Sequence, residues 1–252
     1  MKPLSSVLTR LNIVVLPDHA QCKACGYFDL SNPEVVERLK EAGRSPNEGG
    51  CKCKDRKQDT ARRDQQRWAN SNLPHRAPDD HARTLDTFQA KKGLSDALRA
   101  SQDMAMGAGS TRLTLVGSYG TGKTHLLEAI GREWLHRGKT ARYEYVPDLV
   151  DELRAASSTS AEVSVEAMLE WRAKMGLLLL DDIGQRMNEF AVEKLTQVID
   201  ERFRTHGALV VATNYASKEQ LAEASDYRLA DRVFGRAARV VYLEAEPYEV
   251  KT

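Results

Sequence analysis

The chain is short of long apolar runs, aromatic residues, cysteine and net charge, and each shortage excludes a class of protein. Its longest apolar run is about five residues, against the roughly 20 that a membrane-spanning helix needs. No membrane partner is expected. Net charge over the 252 residues is only +1, so no global basic field draws the chain to nucleic acid, and any such binding must come from a local patch. The first residues, Met1 to Pro17, are mildly apolar but are interrupted by Arg10 and Asn12. That argues against a secretory leader and for a cytoplasmic protein. There are four cysteines, in two tight pairs, which in a reducing compartment read as a metal site rather than a disulfide frame. No internal repeat or low-complexity tract is present. Hydrophobic residues, at 41%, are plentiful enough for a real core.

Composition changes near residue 85. All four cysteines fall within residues 1–53. Lys52 to Arg67 carries seven basic residues (Lys52, Lys54, Arg56, Lys57, Arg62, Arg63, Arg67) against Asp55, Asp59 and Asp64. Asn70-Ser71-Asn72-Leu73-Pro74 and Pro78-Asp79-Asp80 then mark a helix end and a linker. This divides the chain into an N-terminal module (1–53), a basic helix and linker (54–84) and a larger domain (85–252). In the last, short apolar runs read as five strands: Leu113–Val116, Tyr143–Val146, Leu177–Leu180, Leu209–Ala212 and Val240–Leu243. Helical patterns over 123–135, 147–155, 163–174 and 191–205 lie between them. Alternating strands and helices predict a layered α/β domain with a mostly parallel sheet.

The most informative motif is Gly117-Ser118-Tyr119-Gly120-Thr121-Gly122-Lys123-Thr124, a full G-x-x-x-x-G-K-[ST] between a strand and a helix. Its glycines let backbone N–H groups turn toward phosphate oxygens, and the helix N-terminus adds partial positive charge. Lys123 is expected to reach the β/γ-phosphates as a solvent-side ligand, and the Thr124 hydroxyl to ligate Mg²⁺. Leu177–Leu180 runs into Asp181-Asp182, where Asp181 suits the Mg²⁺ shell and Asp182 the attacking water. The plainer reading of the pair is a polar turn after a strand. Asn214 ends another apolar strand and could orient water or simply form a turn. Arg228 and Arg232 share one helix face, as an arginine finger toward a neighbouring subunit or as surface ion pairs with Asp226 or Asp231.

With these elements placed, the chain resembles an AAA+ ATPase of the bacterial replicative helicase-loader type (DnaC/DnaI-like) over roughly residues 85–245. The matching residues are Gly117–His125 (GSYGTGKTH), Leu178–Gly184, Val211–Tyr215 and Arg228–Arg232. The resemblance implies a three-layer domain with a five-stranded parallel sheet in the order 5-1-4-3-2. It implies that ATP is held by Gly117, Gly120, Thr121, Gly122, Lys123, Thr124 and His125, with Asp181 and Asp182 as the Walker B pair. It makes Asn214 sensor 1 and Arg232 the finger acting through self-association at the ATP site, with Arg228 a second arginine. The implied function is ATP-dependent delivery of a replicative helicase onto single-stranded DNA. Asp182 stands where the family usually has Glu, which implies slow or partner-dependent hydrolysis. Only about nine residues follow Leu243, too few for the helical lid of most AAA+ proteins, and a DnaA-like initiator is disfavoured for that reason. The competing readings are an IstB-type transposition helper ATPase, a nucleotide-gated adaptor with little turnover, and a small-molecule kinase, which leaves Asn214 and Arg232 unexplained.

Cys22-x-x-Cys25 and Cys51-x-Cys53, 25 residues apart, could close a tetrahedral Zn²⁺ site. His19 or His75 could replace one thiolate, and unligated thiols are the plainer alternative. Such a zinc module resembles the helicase-binding domain of some loader-like proteins. The basic stretch ending in Trp68 could contact single-stranded DNA through phosphate charge and stacking or be a solvated helix face. Glu166–Trp171 is a weaker DNA-facing candidate, with only Arg172 and Lys174 nearby.

Overall fold

A computed structural model describes residues 33–41, 53–74, 83–157, 163–184 and 187–248. The chain divides into two compact units, Met1–Arg63 and Asp64–Thr252. The first contributes helix α1 (Pro33–Glu41), which buries Val35 and Leu39 at i and i+4, and the start of α2 (Cys53–Asn70). Cys22, Cys25 and Cys51 lie outside the described residues, as does the side chain of Cys53.

The second unit carries the sheet. Its strands are β1 (Arg112–Val116), β2 (Ala141–Tyr145), β3 (Leu177–Ile183), β4 (Ala208–Thr213) and β5 (Arg239–Tyr242). All pair in parallel, in the order β2-β3-β4-β1-β5, the predicted topology. The period-2 geometry of a strand explains the layers. Leu177 and Leu179 of β3, with Leu113, Leu115, Val210 and Ala212, face a core closed by α3 (Ser95–Met106) and α4 (Lys123–His136). Leu178 and Leu180, with Leu209 and Val211, face the opposite core. That side is closed by α5 (Val146–Ala156), α6 (Val165–Ala173), α7 (Glu189–Arg204), α8 (Lys218–Ala224) and α9 (Tyr227–Phe234). The uninterrupted leucine run of β3 is thus buried on both sides, as central parallel strands are.

Side-chain caps start several helices by satisfying orphan N–H groups. Ser164 accepts from Ala167 N, Asn188 from Ala191 N, and Asp226 from Arg228 N and Leu229 N. Helix α3 has no counterpart among the predicted elements. Its buried Ala97, Ala100, Ser101, Met104 and Ala105 carry the i, i+3/i+4 spacing that could have revealed it. The segment predicted as linker also takes part in the fold. Ser71 O accepts from Tyr143 N at 2.8 Å, which covers the open edge of β2, and Leu73 is buried in the core.

Arg202 on α7 is fully buried. It donates to the carbonyls of Arg172, Ala173, Met175, Gly176 and Ala208. Those carbonyls lie at the end of α6 and the entrances to β3 and β4. Burial pulls this guanidinium down to about 10.

Candidate nucleotide site

Chain geometry at the C-terminal ends of β1, β3 and β4 builds the site, where parallel α/β sheets place their ligands. The loop from Gly117 to Gly122 leaves β1 and enters α4. Gly120 and Gly122 have φ of 76° and 98°, the left-handed region where a side chain is strained. A Cβ on Gly122 would also lie 2.8 Å from the Phe88 ring. Thr121 is fully buried and its hydroxyl donates to Ser118 O at 2.9 Å. Any part it takes in phosphate binding therefore falls to its backbone N–H.

Lys123 is 7% exposed, so the expectation of a solvent-side lysine is corrected. Its ammonium donates to Gly117 O at 2.8 Å, Ser118 O at 2.9 Å and Asn214 Oδ1 at 2.7 Å. Burial pulls the Lys123 ammonium below the usual lysine range, against the attraction of Asp181 and Asp182.

The two acids stand at the end of the strand, as the sequence suggests, and not in a polar turn after it. β3 continues through Asp181 and Asp182 to Ile183, with an irregularity in its pairing to β4 between Leu180 and Ile183. Asp182 has φ of 61°, a strained conformation for a residue with a side chain. Asp181 accepts from Tyr143 Oη at 2.8 Å and is hydrogen-bonded to Thr124. Burial raises the Asp181 carboxyl above its ordinary range, opposed by the Thr124 and Tyr143 hydrogen bonds. The same burial, with Asp181 beside it, pushes the Tyr143 phenol far up. Asp182 accepts from Asn214 Nδ2 at 2.7 Å and from Tyr145 Oη at 3.4 Å. Asn214 therefore bridges Lys123 and Asp182, one amide end to each. Thr124 and Asp181 together offer the hydroxyl and carboxylate oxygens that suit a hard cation such as Mg²⁺.

Gly120, Gly122, Lys123, Thr124, Asp181, Asp182 and Asn214 line a cleft of about 910 Å³, within the range of small-molecule sites. Arg83, Phe88, Gln89 and Tyr248 line it as well. Sequence reasoning missed these four, which carry no motif and come from the stretches before β1 and after β5. His125 lines the cleft too, with Nε2 2.8 Å from Thr84 O and its ring edge-on to Phe88, so it ties the 84–88 segment to α4. Tyr248 N–H donates to Gly120 O at 3.0 Å, and Lys91 Nζ donates to the carbonyls of Glu246 and Pro247. The residues after β5 thereby cross the phosphate loop.

Neither Arg228 nor Arg232 lines this cleft. Both meet Asp200 of α7, at 2.5 Å each. Asp226 is used as the helix cap and Asp231 is held by Lys218. The candidate DNA contacts are also rearranged. Trp68 packs edge-on against His136, away from any stacking role, while Lys57, Arg62 and Arg63 are exposed. Arg172 is buried between Glu144 and Glu152 and Lys174 pairs with Glu170, which removes the positive charge from the second candidate. Among the described residues no cluster of metal-ligating side chains occurs and no helix is long and apolar enough to cross a membrane.

A phosphate-binding loop after β1, paired carboxylates at the end of β3 and Asn214 just after β4, the strand between them, define an AAA+ P-loop fold. Solved structures with this fold include AMPPCP-bound DnaA from Aquifex aeolicus (TM-score 0.59, 23% identity, covering 66% of this chain and 51% of that one). The DnaC helicase loader is another (TM-score 0.56, 21% identity, 63% and 95%). Residues 56–252 match the family described as IstB-like ATP binding protein, and the chain belongs to that family. It is 30% identical over 177 residues to the chromosomal replication initiator protein DnaA of Enterococcus faecalis, covering 67% of this chain and 37% of that one. It is 31% identical over 122 residues to the replicative helicase loader DnaC of a Buchnera aphidicola strain, covering 46% and 48%. It is 27% identical over 188 residues to a protein assigned to ATP binding in insertion sequence IS5376 of Geobacillus stearothermophilus, covering 72% and 71%. The chain spans about a third to a half of the length of the initiator and the loader.

Proposed function

We propose that this chain binds and hydrolyses ATP to deliver a replicative helicase onto single-stranded DNA. The observation that carries the ATPase reading is the Asn214 bridge, which links the phosphate-loop lysine to the second acid of β3. When the triphosphate enters, its β/γ oxygens replace the two loop carbonyls and Asn214 as acceptors for Lys123. Thr124 and Asp181 would hold Mg²⁺, which when bound would neutralise charge developing on the phosphates. Asn214, released from Lys123, keeps its Asp182 bond and aims that carboxylate at the attacking water. Tyr143 keeps Asp181 oriented. Gly117, Gly120, Thr121, Gly122 and the α4 N-terminus supply backbone N–H groups to the phosphates. Arg232, with Arg228 beside it, meets the ATP of a second copy of the chain. Asp182 is one methylene shorter than Glu, and turnover is slow until a partner closes the site.

The helicase-loader assignment draws on the likeness to DnaC. Cys22, Cys25, Cys51 and Cys53 bind one structural zinc ion in the module that grips the helicase. The deciding experiment is co-purification of the full chain with a replicative helicase, with and without ATP. No ATP-dependent complex would remove the loader reading. A second reading, a transposition helper ATPase, is favoured by the family match and by the IS5376 relative, of which this chain covers 71%. Retention on a transposase instead of a helicase would establish it. ATP binding without turnover, whatever the partner, would leave a nucleotide-gated adaptor.

A further inference from the structure

Three acidic residues stand near Arg228 and Arg232, and the structure separates their tasks. Asp226 spends Oδ1 on two backbone N–H groups, at 2.5 and 3.3 Å, to start α9. Asp231 takes the Lys218 ammonium at 2.5 Å. Asp200, on α7, takes both guanidinium groups, Arg232 through Nε on Oδ1 and Arg228 through Nη2 on Oδ2, each at 2.5 Å. Both carboxylate oxygens are used, one per arginine. The Phe203 ring lies 5.4 Å from the Arg232 guanidinium carbon and supports it from the same helix.

The way Arg232 is held leaves its outer edge only loosely engaged, by a long ion pair to Asp231. Asp200 engages the inner Nε–H. Among the described residues, Nη1 and Nη2 make no hydrogen bond, and Nη1 stands 3.6 Å from Asp231. Nη1 and Nη2 are the pair that grips a phosphate in bidentate fashion. Arg232 is about one-third exposed and Arg228 two-thirds, so both are reachable by a second molecule. Burial works to raise the Asp200 carboxyl, but hydrogen bonds from Arg232 and Arg228 outweigh it and keep it below the usual carboxylate range. The clamp therefore stays ionised at neutral pH.

We infer that Asp200 is a positioning residue for the arginine finger: it fixes Arg232 so that Nη1 and Nη2 face a second copy of this chain and meet its nucleotide phosphates. This inference rests on the proposed trans action of Arg232. Asp200 is not itself proposed to touch the nucleotide or the attacking water. Its effect is to keep a flexible side chain in one orientation before the neighbour arrives, and a misplacement of about 1 Å in such a group costs ~10²-fold in rate.

The test uses full-length chains in defined mixtures. A chain with Lys123→Ala can give only the finger, and a chain with Arg232→Ala can give only the ATP site. Asp200→Asn is then added to one or the other. On the finger-giving chain it should lower the turnover of the mixed assembly by roughly ten- to a hundredfold with KM for ATP unchanged. On the chain that supplies the ATP site it should leave turnover at the level of the parent mixture. That second placement controls for folding, because the same substitution is present. Equal losses from both placements would make Asp200 a structural residue, and no loss from either would remove its role; both results overturn the inference while the trans finger stands. If the parent mixture recovers no activity although the chains co-assemble, the trans finger itself is refuted, and the inference with it.

Discussion

Lys123→Met separates the two tasks that one ammonium performs. The substitution keeps an unbranched apolar stem and removes the charge. In the free protein Lys123 makes three hydrogen bonds, and bonds from a charged donor are worth about 1.5–3 kcal/mol each. Summing them predicts a large loss of stability. Burial predicts the opposite sign, because it pulls this ammonium below its ordinary range. The folded state therefore holds that proton less tightly than the unfolded chain does, so desolvation of the charge offsets much of what the three hydrogen bonds contribute. The carbonyls it leaves belong to Gly117 and Ser118, which line a second open pocket from which they can be hydrated. The free variant should thus unfold within about 1 kcal/mol of wild type. With ATP the balance reverses. A ligand at a hundred times its Kd stabilises by ~2.7 kcal/mol. If the variant binds roughly tenfold more weakly, the same concentration yields only ~1.4 kcal/mol. For a domain of this size each kcal/mol moves Tm by about 2–4 °C. The MgATP-induced shift should accordingly fall by half or more, from about 5–11 °C. Thermal denaturation with and without MgATP measures both arms. An undiminished MgATP shift would refute the assignment of Lys123 to the phosphates. A free variant destabilised by several kcal/mol would refute the argument about burial.

Three further outcomes are expected. Arg202→Met leaves five buried backbone carbonyls without their donor; it should lower stability by about 3–5 kcal/mol in urea titration, and a loss under ~1 kcal/mol would contradict that accounting. Asp200 is held below its ordinary value of 3.8, so the stability it contributes is present above that value and lost as pH falls through the lower folded one. The Tm difference between wild type and Asp200→Asn should therefore persist from neutral pH to about pH 4 and close below it; a difference that disappears by pH 6 would count against the clamp. Elemental analysis of protein purified under reducing conditions should find about one zinc per chain. Chelation should remove the metal while leaving the MgATP shift intact, and metal-free protein would end the zinc proposal.

The phosphate loop, the leucine strand and the order of helices and strands were legible in the sequence because each is local. A G-x-x-x-x-G-K-[ST] run between a strand and a helix has few other uses. Four consecutive leucines ending in two aspartates announce a strand buried on both faces. Where local signals mislead, a distant partner decides. Asp181 and Asp182 read either as the end of a strand or as a polar turn after it; pairing of Asp181 with Tyr145 of β2 and of Ile183 with Thr213 of β4 decides for the strand. Lys123 reads as solvent-side until Asn214, 91 positions away, closes over it. Ser71 to Pro74 has the composition of a linker, but an open edge on β2 and a space in the core take it up. Phe88 and Tyr248, far apart in the chain, meet at the cleft with ring centroids 6.2 Å apart, a contact no spacing rule encodes. Arg228 and Arg232 were visible as a pair on one helix face. The choice among Asp200, Asp226 and Asp231 as their main partner depended on how α7 packs against α9, which brings Asp200 to 2.5 Å from both guanidiniums while Asp231 reaches Arg232 only at 3.6 Å.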